Sequence, residues 1–216
     1  MGRHFADLVF TPRVQAEQAR IGSRAACARM QQAGPDDAAL TGQEIAFLAE
    51  RDSFYLASVS ETGWPYIQHR GGPTGFLRAL DASAIGFADL RGNRQHVTLG
   101  NLAGEARVAL FLMDYPNRRR LKLLGRARVV TKEEDPALVA RLAPPGQAER
   151  AERAVLITVA GYDWNCPQHI APRWTAEELS PLLHRLQAAE AEVARLRGLL
   201  GPMERAAEGV VEGAAL

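Results

Sequence analysis

"SFYLASVSETGWPYIQHRGG", residues 53–72, decides the fold. Its first run, 53–60, carries aromatic and β-branched residues and meets a Gly/Pro turn at "ETGWP", after which "YIQHR" returns as a second run. Two such runs around a turn signal predict a β-hairpin. Working outward, "GFLRAL" and "AIGFAD" form another pair around "DAS". "RVALFLM" (107–113) is almost continuously apolar, as a strand buried on both faces would be. "RRRLKLLGRARVV" (118–130) and "RAVLITVAGYDW" (153–164) read as further strands. Short, largely antiparallel strands avoid open edges most simply by closing. The expectation is a mainly β fold with flanking helices (α+β): a six-stranded split β-barrel.

Helical signals lie at the margins. Residues 12–32 are rich in Ala, Gln and Arg, and "AGPDDAAL" breaks the run. "TGQE" (Thr41 to Glu44) has capping-box spacing and opens a short helix through Arg51. "NRQHVTLGNLA" (93–103) reads as a short helix, and "TKEEDPALVARLAPPGQAERAE" as a charged helical excursion with a Pro-Pro stop. A second capping box, "TAEE" (Thr175 to Glu178), precedes Leu179, Leu182, Leu186, Ala189, Val193, Leu196 and Leu200, which alternate three and four apart. That stripe fits a coiled-coil seam or an amphipathic helix docked on its own barrel. Beyond Gly201 the sequence looks frayed. The expected division is an N-terminal helical segment (1–40), the barrel (41–173) and a C-terminal amphipathic helix with its tail (174–216).

Composition excludes several classes. With 47% hydrophobic and 24% charged residues among 216, the chain can build a core and is not disordered. A net charge of +1 gives no bulk attraction to nucleic acid or anionic lipid. Only Lys122 and Lys132 are lysines, so positive charge is carried by arginine, a forked donor suited to phosphate. Two cysteines, Cys27 and Cys166, make no disulfide framework. With neither a signal-peptide core nor a long apolar run, the expectation is a cytoplasmic protein free of the membrane.

Four segments can carry chemistry. In "DWNCPQHI" (163–170), Cys166 and His169 are three apart, but one such pair supplies too few ligands for zinc, so no metal is expected. In "HRGGPTGF" (69–76), Arg70 leaves a strand into Gly71-Gly72, where missing side chains would let a ligand approach backbone amides. The spacing fits neither a dinucleotide fingerprint nor a P-loop. In "FADLRGNRQHV" (87–97) a strand ends at Asp89, and Asn93, Arg94 and Gln95 open a helix whose N-terminus favours an anion. "NRRRLKLLG" starts a strand with three arginines, Arg118 and Arg120 on one face and Arg119 on the other.

In this order, "HRGGPTGF", "FADLRGNRQH", "RRRLKLLGRARVV" and "DWNCPQHIAPR" resemble the pyridoxamine 5′-phosphate oxidase-like family of FMN-binding split barrels, over roughly residues 40–173. The resemblance implies a homodimer with FMN in two equivalent clefts at the subunit interface. By position, His69, Arg70, Gly71 and Gly72 would lie along the flavin and its phosphate arm, and Asp89 would flank the ribityl chain. Asn93, Arg94 and Gln95 would hold the phosphate, and Arg120 would reach the isoalloxazine. Trp164 and Gln168 would close its far side, with Cys166 and His169 as packing residues. Gln95 stands where the vitamin B6 oxidases place a lysine, and the basic and hydroxyl cluster that holds their substrate's phosphate is missing. The resemblance therefore implies an FMN-dependent oxidoreductase acting on a small molecule other than vitamin B6, with no protein group named as catalytic. A flavin carrier or redox-sensing module, or a barrel holding deazaflavin or haem, are the alternatives.

Overall fold

A computed structural model describes residues 1–164 and 167–213, with side chains as far as residue 198. Cys166 and the side chain of Leu200 lie outside the described residues. The chain forms two compact units, 1–171 and 172–216.

The first unit is built on one antiparallel sheet. In chain order its strands are β1 (Ser53–Val59), β2 (Pro65–Gly71), β3 (Arg78–Ala79), β4 (Ala84–Leu90), β5 (Arg107–Asp114), β6 (Arg119–Thr131) and β7 (Ala151–Trp164). They are hydrogen-bonded in the order β2-β1-β5-β6-β7-β4-β3. The hairpin at 53–70 forms in full register, Ser53 opposite Gly71 and Val59 opposite Pro65. The sheet has seven strands rather than the six expected: all seven runs read from the sequence form strands, "GFLRAL" shrinking to a two-residue β3 on the edge of β4. Nor does it close: β2 and β3 end the hydrogen-bonded order. Seven strands coil round the apolar cluster of Phe54, Leu56, Phe87, Leu110, Leu123 and Ile157, and a seam is left open. That seam positions the functional site.

The strand buried on both faces is β7, not β5. In β5 burial alternates, with Val108, Leu110 and Leu112 inside while Phe111 is 38% exposed. What decides it is the layer outside the sheet. Helix α6 (Pro136–Leu142) covers the outer side of β7 near Ala154 and Leu156 through Val139 and Leu142. Helix α1 (Arg3–Val9), inside the segment expected to be helical but ahead of the run read at 12–32, packs against the far end of β7.

Asp37 holds α1 there. Its buried carboxylate accepts from the backbone N–H of His4 (2.6 Å) and Phe5 (2.8 Å) at the helix start, and from Tyr162 N–H on β7 (3.1 Å). One acid caps the helix and ties it to the sheet. The predicted helix over 12–32 is split into α2 (Pro12–Arg20) and α3 (Arg24–Ala33) at Gly22, whose φ is +80°. The Thr41 capping box forms as expected, with Thr41 N–H donating to Glu44 at 2.9 Å, on α4 (Gly42–Ala49).

The longest pair, β6 with β7, shifts register between Leu124 and Gly125. A side chain at Gly125 would meet the Thr158 carbonyl oxygen at 2.5 Å and Ile157 Cγ2 at 2.7 Å. Gly125→Ala is expected to destabilise the barrel by about 1–3 kcal/mol, as overpacking does. A urea titration showing an unchanged midpoint would contradict this.

The second unit is helix α7 (Ala176–Gly213), which continues past Gly201, where the sequence suggests fraying. No helix among the described residues is long and apolar enough to cross a membrane.

Candidate functional site

The open seam lies between β2 and β4. Alternation along β2 puts Tyr66, Gln68 and Arg70 on the face of their β1 partners Ser58, Leu56 and Phe54, all three buried. Across the gap, β4 ends at Asp89 and Leu90. Arg70 spans it: its guanidinium meets Asp89 Oδ1 at 2.7 Å and lies 5.5 Å from the centre of the Phe87 ring. An ion pair bridges the barrel where no backbone ladder does.

Beside that bridge is a cavity of about 220 Å³, lined by Arg70, Gln68, Asp89, Asn93 to His96, the start of α5 (Val97–Gly104), and Glu152. The sequence places Asn93, Arg94 and Gln95 on the helix; the structure places them in the loop before it. Arg94 and His96 adopt left-handed backbone, with φ of 59° and 54°. Gln95 N–H turns back onto Asn93 Oδ1 at 3.1 Å. Left-handed residues are uncommon outside glycine, and two so close together mark a loop whose shape its surroundings impose. Val97, Thr98 and Leu99, the first turn of α5, line the cavity, and first-turn N–H groups have no acceptor within their own helix. Thr98 Oγ1 donates to Gln68 Oε1 at 2.6 Å, tying the helix to β2.

Electrostatically the site is only weakly cationic. Asp89 also faces Arg153 at 3.7 Å, and Glu152 faces both Arg153 (2.7 Å) and Arg94 (3.8 Å). Three guanidiniums thus stand against two carboxylates. Arg70 Nε is buried without a hydrogen-bond partner among the described residues, and Arg94 is 57% exposed and loosely held. An anionic oxygen would satisfy the first and draw in the second. The donors present fit a phosphate monoester: one part-buried arginine, one exposed arginine and a helix start. Glu152 competes for Arg94, so Glu152→Gln is expected to tighten binding of a phosphate monoester several-fold. Isothermal titration with FMN reads it; weaker binding would contradict the expectation.

Of the residues expected from the sequence, Arg70, Asp89, Asn93, Arg94 and Gln95 come together here. His69 points to the opposite face of β2, with its ring 5.6 Å from that of Tyr55. Gly71 and Gly72 do not line the cavity. A side chain at Gly72 would meet the Phe76 ring at 2.7 Å, so that glycine serves core packing. Arg120 lies at the start of β6, 3.8 Å from Asp163, with its guanidinium 5.6 Å from the Phe111 ring centre. Trp164 donates to Glu44 Oε1 at 2.7 Å and meets Phe47 edge-on at 4.8 Å, with Arg119 over its face. Burial works against the charged Glu44 carboxylate, but bonds from Thr41 and Trp164 outweigh it and hold its pKa below the usual value. Gln168 and His169 form an exposed turn, His169 with φ of 66°. Within one chain Arg120, Trp164 and Gln168 are not part of the cavity.

The sequence reading missed Tyr66, Gln68, Thr98 and Glu152. Strand alternation from Arg70 would have found the first two; the others depend on tertiary pairing. His4, Asp36 and Asp37 bring three metal-capable groups within 4.8 Å of one another, but the carboxylate oxygens of Asp37 already accept three backbone N–H bonds.

Residues 40–162 match the family model described as pyridoxamine 5′-phosphate oxidase. Similar crystal structures include three with these descriptions. A putative pyridoxamine 5′-phosphate oxidase from Lactobacillus delbrueckii is 20% identical over 58% of this chain and 93% of its own, with a TM-score of 0.46. An FMN-binding protein from Syntrophomonas wolfei is 9% identical over 56% and 81%, with a TM-score of 0.43. The haem storage protein HutZ from Vibrio cholerae is 13% identical over 58% and 93%, with a TM-score of 0.40. No curated protein matches.

Proposed function

The chain belongs to the pyridoxamine 5′-phosphate oxidase family, and from that premise we propose that it is an FMN-dependent oxidoreductase passing electrons between a reductant and a small molecule. The observation that carries the reading is the seam cavity, where Arg70 keeps an unmet N–H, Arg94 is exposed and held only by Glu152 at 3.8 Å, and the first turn of α5 forms part of the lining. Bound FMN would supply the redox chemistry. The chain would hold it by its phosphate, with Arg70 and Arg94 as charged donors and the first N–H groups of α5 completing the cradle. Asp89 keeps Arg70 pointed across the seam, and Gln68, fixed by Thr98, walls the cavity from the core side.

A homodimer is part of the proposal. At about 220 Å³ the cavity is below the roughly 300–1,000 Å³ of ligand pockets, so it takes a phosphate arm but not a whole flavin. The remaining wall has to come from elsewhere. The outer face of β1, β2 and β5 presents Tyr55, Ile67 and Phe111, at 40%, 66% and 38% exposure, an apolar surface that a second copy would cover. In that assembly Arg120, Trp164 and Gln168 would serve the cleft of the opposite subunit.

The test is the absorption spectrum of the purified protein, with mass analysis of what denaturation releases. A flavin spectrum, FMN as the released mass, and bleaching by NADH or NADPH under anaerobic conditions support the proposal. A Soret band or a deazaflavin mass would replace FMN as the ligand. Bound FMN that no reductant bleaches would make the chain a carrier or sensing module.

A further inference from the structure

We infer that α7 pairs with α7 of a second copy as a parallel, in-register two-stranded coiled coil. The inference goes beyond the flavin reading and does not depend on it.

The stripe sorts into core positions three and four apart: Leu179, Leu186 and Val193 in one set, Leu182, Ala189 and Leu196 in the other. In the structure Leu182 is 61% exposed, Leu186 52%, Val193 47% and Leu196 45%. Such a row in water is costly, at about 25 cal/mol for each Å² of apolar surface left uncovered. The strict alternation repeats every seven residues, the period with which two helices wind round each other rather than lie on a broad surface.

The flanking charges choose the occupant and its direction. In a parallel pair, the residue before each core residue of the first set faces the residue five further along the other helix. Arg185 then meets Glu190 of the second copy, and Glu192 meets Arg197. The same rule sets Glu178 against Leu183, which is no ion pair. Two-fold symmetry doubles each contact, so the parallel pair makes four contacts of opposite sign and none between like charges. An antiparallel pair with Leu186 against Ala189 keeps only Arg185 with Glu192 and sets Leu183 beside Glu190. Glu192 at present bonds Arg195 one turn along its own helix at 2.8 Å. Both partners are more than half exposed, so that pair is weak and can be shared.

Cysteine cross-linking of the full chain tests this, in a background with Cys27→Ser and Cys166→Ser. In a parallel pair the two copies of residue 182 approach within the roughly 4.4–6.8 Å between Cα atoms that a disulfide spans. Leu182→Cys and Leu196→Cys should each give a covalent dimer under mild oxidation, while Ala191→Cys on the opposite side of the helix should not. Adding Glu190→Arg to Leu182→Cys should slow cross-linking at least several-fold, and Arg185→Glu should restore it. The inference fails if Leu182→Cys cross-links no faster than Ala191→Cys. It also fails if a dimer forms only on mixing Leu182→Cys with Val193→Cys chains, the antiparallel outcome. The cross-link is read without reference to flavin, so its failure and a failure to bind FMN are separate results.

Discussion

Arg70→Ala is expected to abolish measurable FMN binding, weakening it on the order of 100-fold or more, and to destabilise the barrel by roughly 3 kcal/mol. The two losses have different causes. Stability falls because Asp89, with a side chain 12% exposed, keeps only the more distant Arg153 at 3.7 Å. An acid left buried with a poorer partner is penalised more than a pair removed together. Binding falls because the guanidinium is a part-buried cation on the cavity wall, with an N–H that has no partner among the described residues. Arg70→Ala combined with Asp89→Ala should therefore recover most of the stability and none of the affinity. Chemical denaturation and FMN titration on the same three proteins separate these effects. If the double variant regained FMN, Arg70 would be a seam strut and nothing more.

Asp37→Ala should cost roughly 3 kcal/mol or more, since it strands N–H groups of His4, Phe5 and Tyr162 away from water. For a unit of this size that lowers Tm by about 6–12 °C. The loss should begin with α1, whose attachment to β7 runs through this carboxylate. Hydrogen exchange at Phe5 and Tyr162 would report it, and retained protection at both would contradict the account. FMN affinity should barely change, because the latch lies on β7 away from the seam cavity.

How much of this was legible in the sequence varied with the range of the interaction. The hairpin at 53–70 was readable because its turn and both runs are local, and the Thr41 capping box because its partners are three residues apart. Phe111 shows the limit. Period and apolarity placed β5 in the sheet, but whether its outer face is covered depends on where α1 and α6 dock, and they dock on β7. Asp37 lies in the run-breaking "AGPDDAAL", and its three donors come from two other segments of the chain. At the site, the gathering of Arg70 and Arg94 was readable, because both carry their chemistry in their side chains. The two left-handed residues that hold Asn93 to Gln95 ahead of α5 were not, because neither Arg94 nor His96 is a residue type that announces such backbone. Gly72 carries a demand the sequence does not display: a side chain there would meet the Phe76 ring at 2.7 Å.

The central claim is that the seam between β2 and β4 grips a phosphate. Parallel equilibrium titrations of the full chain with FMN and with riboflavin, which differ only in that phosphate, test it most directly. The account predicts saturable binding of one FMN per chain, at least tenfold tighter than riboflavin, with the advantage lost in Arg94→Ala. Equal affinity for the two flavins, or no binding of either, would contradict it.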